Sequence, residues 1–287
     1  MFLQQIMNGL IMGGAYALIS VGLTMSFGIM HISNFAHGTI LMIGGYAVYF
    51  FCMYLGLPYF VGVVLSMVSV GLFGIILERV VFKQVYNAPH MNDMLVSLGL
   101  LIVLEGLSLV FFGSETLKVN TPYTSVIINV FSSIATLQRI IVLVASLLLI
   151  QALYLFLKYT KTGRSIVATA QNPRGASLVG IDIPRVYMLT FAISSALAAA
   201  AGALLSPVFY VYPTMGAMPL LIAFVVVVFG GMGSVQGAVV GGFAIGILES
   251  LGGAYISSDY KNCFPFIILI ATLLIRPQGL FGNKELS

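Results

Sequence analysis

The amino-acid sequence contains two very long stretches without a charged side chain. Residues 1–77 hold no Asp, Glu, Lys or Arg, and neither do residues 186–248. Charged residues make up 7% of the chain and hydrophobic residues 60%, whereas a soluble domain carries roughly 25% charge. Since a spanning helix needs about 20 apolar residues, each stretch can cross a bilayer more than once. The chain is therefore predicted to be an integral membrane protein.

Apolar runs separated by turn residues predict the spanning segments. These runs cover residues 6–30, 37–56, 59–82, 94–113, 138–157, 186–207, 217–230, 237–255 and 263–275. The alternating pattern of a membrane β-barrel is absent, and a helix is the other structure that satisfies its backbone in lipid. We therefore predict an all-α, polytopic bundle of about eight to ten transmembrane segments, some of them broken or re-entrant. It forms a single transmembrane domain over residues 1–287.

Positive charge is concentrated in residues 158–185. This segment carries five of the 12 Lys and Arg side chains. Because cytoplasmic loops are enriched in Lys and Arg, we place the segment in the cytoplasm. Counting helices outward then puts nine cations inside, Lys284 among them, and Lys118, Arg139 and Lys261 outside. The N-terminus is expected outside and the C-terminus inside. Topology accounts for the net charge of +4, which does not indicate a nucleic-acid partner.

The same segment predicts a short surface helix over residues 173–179. Asn172 can cap this helix, Pro173 suits its first position, and Gly180 can end it. The small side chain of Ala176 would leave a smooth face for a partner protein. A topogenic cluster of cations does not by itself require such a helix, so we expect the segment to dock a partner.

Two interruptions of the apolar runs are candidates for a translocation pathway. They lie within residues 27–46 and 229–243. Broken helices often line transport pathways, because non-helical backbone at membrane depth needs protein or a water-filled cavity around it. An ordinary polar turn at the membrane surface would leave the same pattern. The candidate pathway residues are Asn34, His37, Gly230, Gly231, Gly233, Ser234 and Gln236.

Two acids, Glu105 and Glu249, lie within apolar runs and have no cation near them in the sequence. A carboxylate at the centre of a membrane helix costs roughly 2.5–3.5 kcal/mol on insertion scales. A proton-coupled secondary transporter would use such a residue, and this class stays open as the alternative function. His31 and His37 lack the Cys and carboxylate neighbours of a metal site. With no nucleophile and base set either, we do not expect an enzyme.

Several stretches resemble a family of importer permeases. Arg174-Gly175-Ala176-x-x-x-Gly180 is similar to the Glu-Ala-Ala-x-x-x-Gly loop of bacterial ABC-importer permeases, with Arg in place of Glu and Gly in place of the first Ala. The family resemblance rests on NGLIMGGAYALISVGLTMSFGIMHISNFAHGTILMIGGYAV, ERVVFKQV, TKTGRSIVATAQNPRGASLVGID, FGGMGSVQGAVVGGFAIGILE and RPQGLFG. In order and spacing these resemble the branched-chain amino-acid ABC permeases, and the shorter of their two permease types. Val167 departs from that pattern, which usually has an Arg there.

This resemblance implies an importer subunit for branched-chain or other hydrophobic amino acids, or for a related solute such as urea or a short amide. It also implies a second permease subunit in a heterodimer, two cytoplasmic ATPases and an extracytoplasmic binding protein, at a bacterial inner membrane and in contact with its lipid. The implied ATPase-coupling residues are Gly163, Arg164, Asn172, Pro173, Arg174, Gly175, Ala176 and Gly180.

The sequence agrees with this division of labour. The only Lys followed by Ser or Thr is Lys161, and Thr160 precedes it where a phosphate-binding loop needs Gly. We therefore expect no cofactor in this chain, with ATP and Mg²⁺ on the partner ATPases.

Overall fold

The structure, a computed structural model, describes residues 2–86, 88–130 and 133–282. The helices in these ranges are α1 (Phe2–Met30), α2 (His37–Tyr49), α3 (Tyr59–Val80), α4 (His90–Phe112), α5 (Leu137–Tyr159), α6 (Lys161–Gln171), α7 (Pro173–Leu178), α8 (Ile183–Leu205), α9 (Ala217–Gly230), α10 (Val235–Tyr255) and α11 (Cys263–Ile275). A π-helical turn, Phe50–Tyr54, extends α2. Short 3-10 helices cover Phe82–Gln84 and Pro122–Thr124. Strands β1 (Ile127–Val130) and β2 (Ser133–Thr136) pair antiparallel, with Ile127 opposite Thr136.

The predicted all-α membrane bundle is confirmed. Within the described ranges, seven helical segments are long and apolar enough to cross a membrane; they contain α1, α2, α3, α4, α5, α8 and α10. Two further apolar helices are shorter, α9 with 14 residues and α11 with 13. At 1.5 Å per residue each is about 20 Å long, less than the hydrocarbon thickness of about 30 Å. Both were among the apolar runs of the sequence, and each is too short to cross the hydrocarbon layer alone.

Helix α1 lies at the centre of the bundle and packs closely on α10. A Cβ atom added to Gly13 would lie 2.8 Å from the Cα of Phe243, and one added to Gly242 would lie 2.5 Å from the Cα of Ala17. Gly9 and Gly246 make equally close backbone contacts across the same interface. Such glycines let helix backbones approach where no hydrophobic force acts between helices. Here they join two helices of one chain.

Helix α2 begins inside the bundle. The Nε2 atom of His37, its first residue, lies 3.1 Å from the carbonyl oxygen of Ile19, which is close to the middle of α1. The next residue, Gly38, touches the backbone of Gly216, which immediately precedes α9. Two helices therefore start side by side at mid-depth, and neither start is at a membrane surface.

The cations separate to opposite ends of the bundle along α8. Arg185, near the start of α8, lines a groove together with Arg79. Leu205, its last residue, lines a cavity together with Arg139 and Lys261. A helix of 23 residues is about 34 Å long. We call these the inner and outer ends; the predicted orientation places the inner end in the cytoplasm.

The connections hold structure that the sequence did not predict. Residues 158–185, the inner segment, contain α6 as well as α7, and α7 ends one residue earlier than expected. Thr160 caps α6, because its Oγ1 accepts a hydrogen bond from the Gly163 N–H at 2.9 Å. Ile166 and Thr169 lie on the buried side of that helix. The β1–β2 hairpin lies in the outer connection between α4 and α5. Lys284, one of the predicted inside cations, lies outside the described residues.

Replacing Gly38 by alanine should destabilise the bundle. The new methyl group would collide with the Gly216 carbonyl oxygen and lie 2.8 Å from the Cβ of Leu220. Overpacking of this kind costs about 1–3 kcal/mol, so the thermal unfolding midpoint in detergent should fall. Gly99→Ala is the matched control for the separately purified chain, because nothing in it lies within 4 Å of the added methyl. Equal midpoints for the two variants would contradict the packing of α2 on α9.

Candidate functional site

The short helix of the inner segment is fixed at both ends. The Asn172 side chain accepts a hydrogen bond from the Gly175 N–H at 2.9 Å, and Pro173 occupies the first turn. At the other end Gly180 has a φ of +86°, and the chain returns so that the backbone N–H of the next residue donates to the Ala176 carbonyl at 3.1 Å. The cap, the proline and the terminating glycine lie where the sequence predicted them.

The outward surface of α7 differs from the one expected. Ala176 is only 5% exposed, so its small side chain packs against the chain itself and does not face a partner. Leu178 and Val179 are instead 88% and 77% exposed. Both residues directly precede Gly180 in an otherwise polar segment. That placement is the sequence signal for them, and sequence reasoning missed it.

Helix α6 joins this surface to the membrane helices. A side chain at Gly163 would collide with the Phe156 carbonyl oxygen, so glycine is needed where α6 packs on the end of α5. Ile166 is 1% exposed, and α6 contacts both α1 and α8. Arg164 and Arg174 are exposed at the inner end. The segment therefore presents apolar and cationic groups on a helix pair that contacts the bundle core.

A groove of about 450 Å³ lies beside the inner segment. The inner groove is lined by Glu78, Arg79, Lys83, Asp182, Pro184, Arg185 and Met188. Glu78 is buried and accepts a hydrogen bond from the Tyr86 hydroxyl. Burial and this hydrogen bond both raise the pKa of Tyr86, so the hydroxyl remains a donor at physiological pH. The contact ties the end of α3 to the turn that follows it, and the Tyr86 ring packs edge-on against Tyr187 of α8.

The first candidate interruption lies inside the bundle. Asn34 and His37 are both 0% exposed. Besides the contact of His37 with Ile19, the segment is held to α4, because the Ser33 N–H donates to the Asp93 carboxylate at 3.2 Å. The alternative of a polar turn at the membrane surface therefore does not describe these two residues.

The second interruption forms a tight turn at the inner end. Gly231 and Gly233 have φ values of +103° and +85°, and the Ser234 hydroxyl caps α10 by accepting from the Gly237 N–H at 3.0 Å. The Phe281 N–H donates to the Gly230 carbonyl at 2.9 Å, which seats the last described residues on this turn. Gln236 is exposed. Within the described part of the chain, neither interruption contributes a residue to the inner groove or to the cavity that Arg139 and Lys261 line at the outer end.

The two acids within the apolar runs have different surroundings. Glu249 is 2% exposed and its Oε1 lies 3.3 Å from the Lys261 Nζ. Lys261 lies in the connection between α10 and α11, and the path of this connection places it beside Glu249. The two residues are too far apart in the sequence for this pairing to be predicted. Glu105 is partly exposed on the peripheral helix α4, and no described residue forms an ion pair with it. Gly99 and Gly106 on α4 have open space beside them.

Comparisons with known proteins agree over nearly the whole chain. The family described as the permease component of branched-chain amino acid transport systems matches residues 5–273. The high-affinity branched-chain amino acid permease protein LivH of Escherichia coli K12 is 36% identical over 300 residues, covering 100% of this chain and 97% of LivH. BraD, the corresponding permease protein of Pseudomonas aeruginosa, is 32% identical over 299 residues, covering 100% and 97%.

A solved structure also shows a likeness. A chain of PsaBC from Streptococcus pneumoniae in complex with Fab aligns with a TM-score of 0.49 and 13% identity, covering 96% of this chain and 92% of that chain.

Proposed function

The chain belongs to the family of permease components of branched-chain amino acid transport systems, and from this premise we propose that it is a membrane subunit of an ABC importer. Its substrates would be branched-chain and other hydrophobic amino acids. Urea and short amides are the related solutes that a transport assay should include. The importer would lie in the cytoplasmic membrane, with the inner end of the bundle facing the cytoplasm.

The surface of the inner segment carries this proposal. Leu178 and Val179 are exposed at an end of the bundle that is rich in cations. Exposed apolar residues next to a polar rim are typical of protein docking sites. A cytoplasmic ATPase subunit with a matching apolar cleft would cover them, and acidic groups on its rim would pair with Arg164 and Arg174. ATP and Mg²⁺ would be bound by that partner.

The same segment offers a route for mechanical coupling. The buried side of α6 contacts α1 and α8, and both helices extend to the outer end. An ATPase pair that closes on α7 would displace α6 against these helices. Such a rigid-body shift is a common way to alternate access between two sides. Each of two permease subunits would receive one ATPase, and an extracytoplasmic binding protein would deliver the amino acid to the outer end.

A second permease subunit would pack on the peripheral face of α4. Glu105 leaves a carboxylate on this face within the membrane, where a polar partner would offset its cost. Gly99 and Gly106 lie seven residues apart on the same helix with open space beside them. A facing helix of the partner subunit can approach closely at such positions. Contact with lipid would cover the other apolar faces.

ATP-driven uptake tests the proposed function. In proteoliposomes that hold the complete importer, leucine uptake should require ATP and should persist with an uncoupler at constant ATP. Glu105→Gln should keep ATP-driven uptake, because the importer does not use a titrating carboxylate for energy. A proton-coupled transporter would instead lose uptake with the uncoupler and lose coupling with Glu105→Gln. That result would contradict the importer and favour the proton-coupled secondary transporter.

Replacing Leu178 by aspartate should weaken docking of the ATPase. Loss of an apolar anchor costs about 2 kcal/mol or more at a docking site, which corresponds to roughly 30-fold weaker binding. Co-purification of the ATPase at equal permease levels measures it. Ser125→Asp is the control, because it adds the same charge at an exposed position of the outer connection between α4 and α5. Normal recovery with Leu178→Asp would show that α7 is not the docking element.

A further inference from the structure

The outer end of the bundle holds a cavity with no role in the importer mechanism described above. It has a volume of about 360 Å³ and lies among α1, α5, α10 and the connection to α11. The polar groups of this outer cavity include Gln5, Asn8, Arg139, Glu249, Ser250 and Lys261. Its volume lies in the lower part of the range of about 300–1,000 Å³ that is usual for small-molecule sites. A ligand the size of an amino acid fits such a space.

Arg139 stands where a cation has little structural reason to be. It is the third residue of α5, and a cation near a helix N-terminus opposes the helix dipole. The outer side is also the side that Lys and Arg avoid. Arg139 is exposed and forms no ion pair with any residue in the described ranges. Its planar guanidinium is suited to hold a carboxylate through two hydrogen bonds.

Glu249 supplies the opposite charge deeper in the cavity. Lys261 neutralises its Oε1 side at 3.3 Å. The Tyr16 hydroxyl is placed to donate to the carboxylate, yet the Oε2 atom is buried and has no hydrogen bond of full geometry within the described residues. An unsatisfied buried carboxylate oxygen is costly. An ammonium group is a donor that would satisfy it.

The rest of the cavity wall suits an apolar side chain and is held in place. Ile11, Met12, Val142 and Leu205 line it from three helices. Above them the Ser250 hydroxyl donates to the Gln5 carbonyl at 2.8 Å and approaches the Gln5 Oε1 at 3.0 Å, which ties α10 to α1. A wall with fixed side chains needs little rearrangement to bind a ligand.

We propose that the outer cavity binds a free α-amino acid with an apolar side chain. Arg139 holds its carboxylate, Glu249 accepts from its ammonium group, and Ile11 with its apolar neighbours contacts the side chain. This inference rests on the proposed function and deepens it, because it places a substrate site within this one chain. Two of the three predicted outer cations then lie at one site: Arg139 binds the ligand, and Lys261 pairs with Glu249.

Ligand protection of a cavity cysteine tests the proposal. Ser258 lines the cavity and is exposed, so Ser258→Cys is introduced together with Cys52→Ala and Cys263→Ala. Right-side-out membrane vesicles from cells that produce the full chain and its partners are treated with a membrane-impermeant maleimide. Leucine should slow the labelling in a saturable way. Leucinamide lacks the carboxylate and 4-methylpentanoate lacks the ammonium group, so each should need about tenfold or more higher concentration.

Two variants make the result specific. Arg139→Gln should raise the protecting concentration of leucine by about tenfold to 100-fold, while the labelling rate without ligand stays the same. Lys118→Gln is the matched control, because it removes the predicted outer cation that does not line the cavity, and it should leave protection unchanged. The proposal would be overturned if leucine gave no protection when Arg139 is present. It would also be overturned if the three ligands protected equally, or if Arg139→Gln left protection unchanged.

Uptake and labelling in the same vesicles distinguish the proposed function from the proposed site in the outer cavity. Leucine protection without ATP-driven leucine uptake would overturn the proposed function and support the site. Normal uptake without protection would overturn the site and leave the proposed function standing.

Discussion

Backbone contact between α1 and α10 is the constraint on which the rest of the structure depends. Gly9 and Gly13 on one helix meet Gly242 and Gly246 on the other, with no room for a side chain at the contact. In lipid the gain comes from close packing, since apolar side chains gain little by leaving hydrocarbon for protein. The central position of α1 follows from this contact. Larger residues at these positions would separate the helices that form the outer cavity.

Helix α1 connects the outer cavity, the start of α2 and the inner segment. Its outer part contributes Gln5 and Asn8 to the cavity, and its middle contacts His37 at the start of α2. Its inner part contacts α6, which supports the surface formed by Leu178 and Val179. A displacement of α6 therefore acts on a helix that also forms the wall of the proposed substrate site. In this arrangement one packed helix, and not a flexible linker, joins the two ends.

Features that depend on neighbouring residues in the sequence, such as spanning helices and helix caps, were predicted correctly. The long uncharged runs predicted a membrane bundle, and Asn172, Pro173 and Gly180 predicted a short capped helix. Contacts between distant segments were not accessible in this way. The outward face of α7 depends on how α6 packs, so Ala176 was assigned to the wrong side and Leu178 was missed. The pairing of Glu249 with Lys261 depends on the path of the chain between α10 and α11.

Communication between the two ends is the central claim, and labelling of the outer cavity tests it most directly. With the complete importer in right-side-out vesicles, the rate at which a maleimide labels Ser258→Cys should change when ATP is supplied inside. Leu178→Asp should abolish this change, because the ATPase would no longer act on α6 through α7. A labelling rate that responds to ATP equally with and without Leu178→Asp would contradict the account.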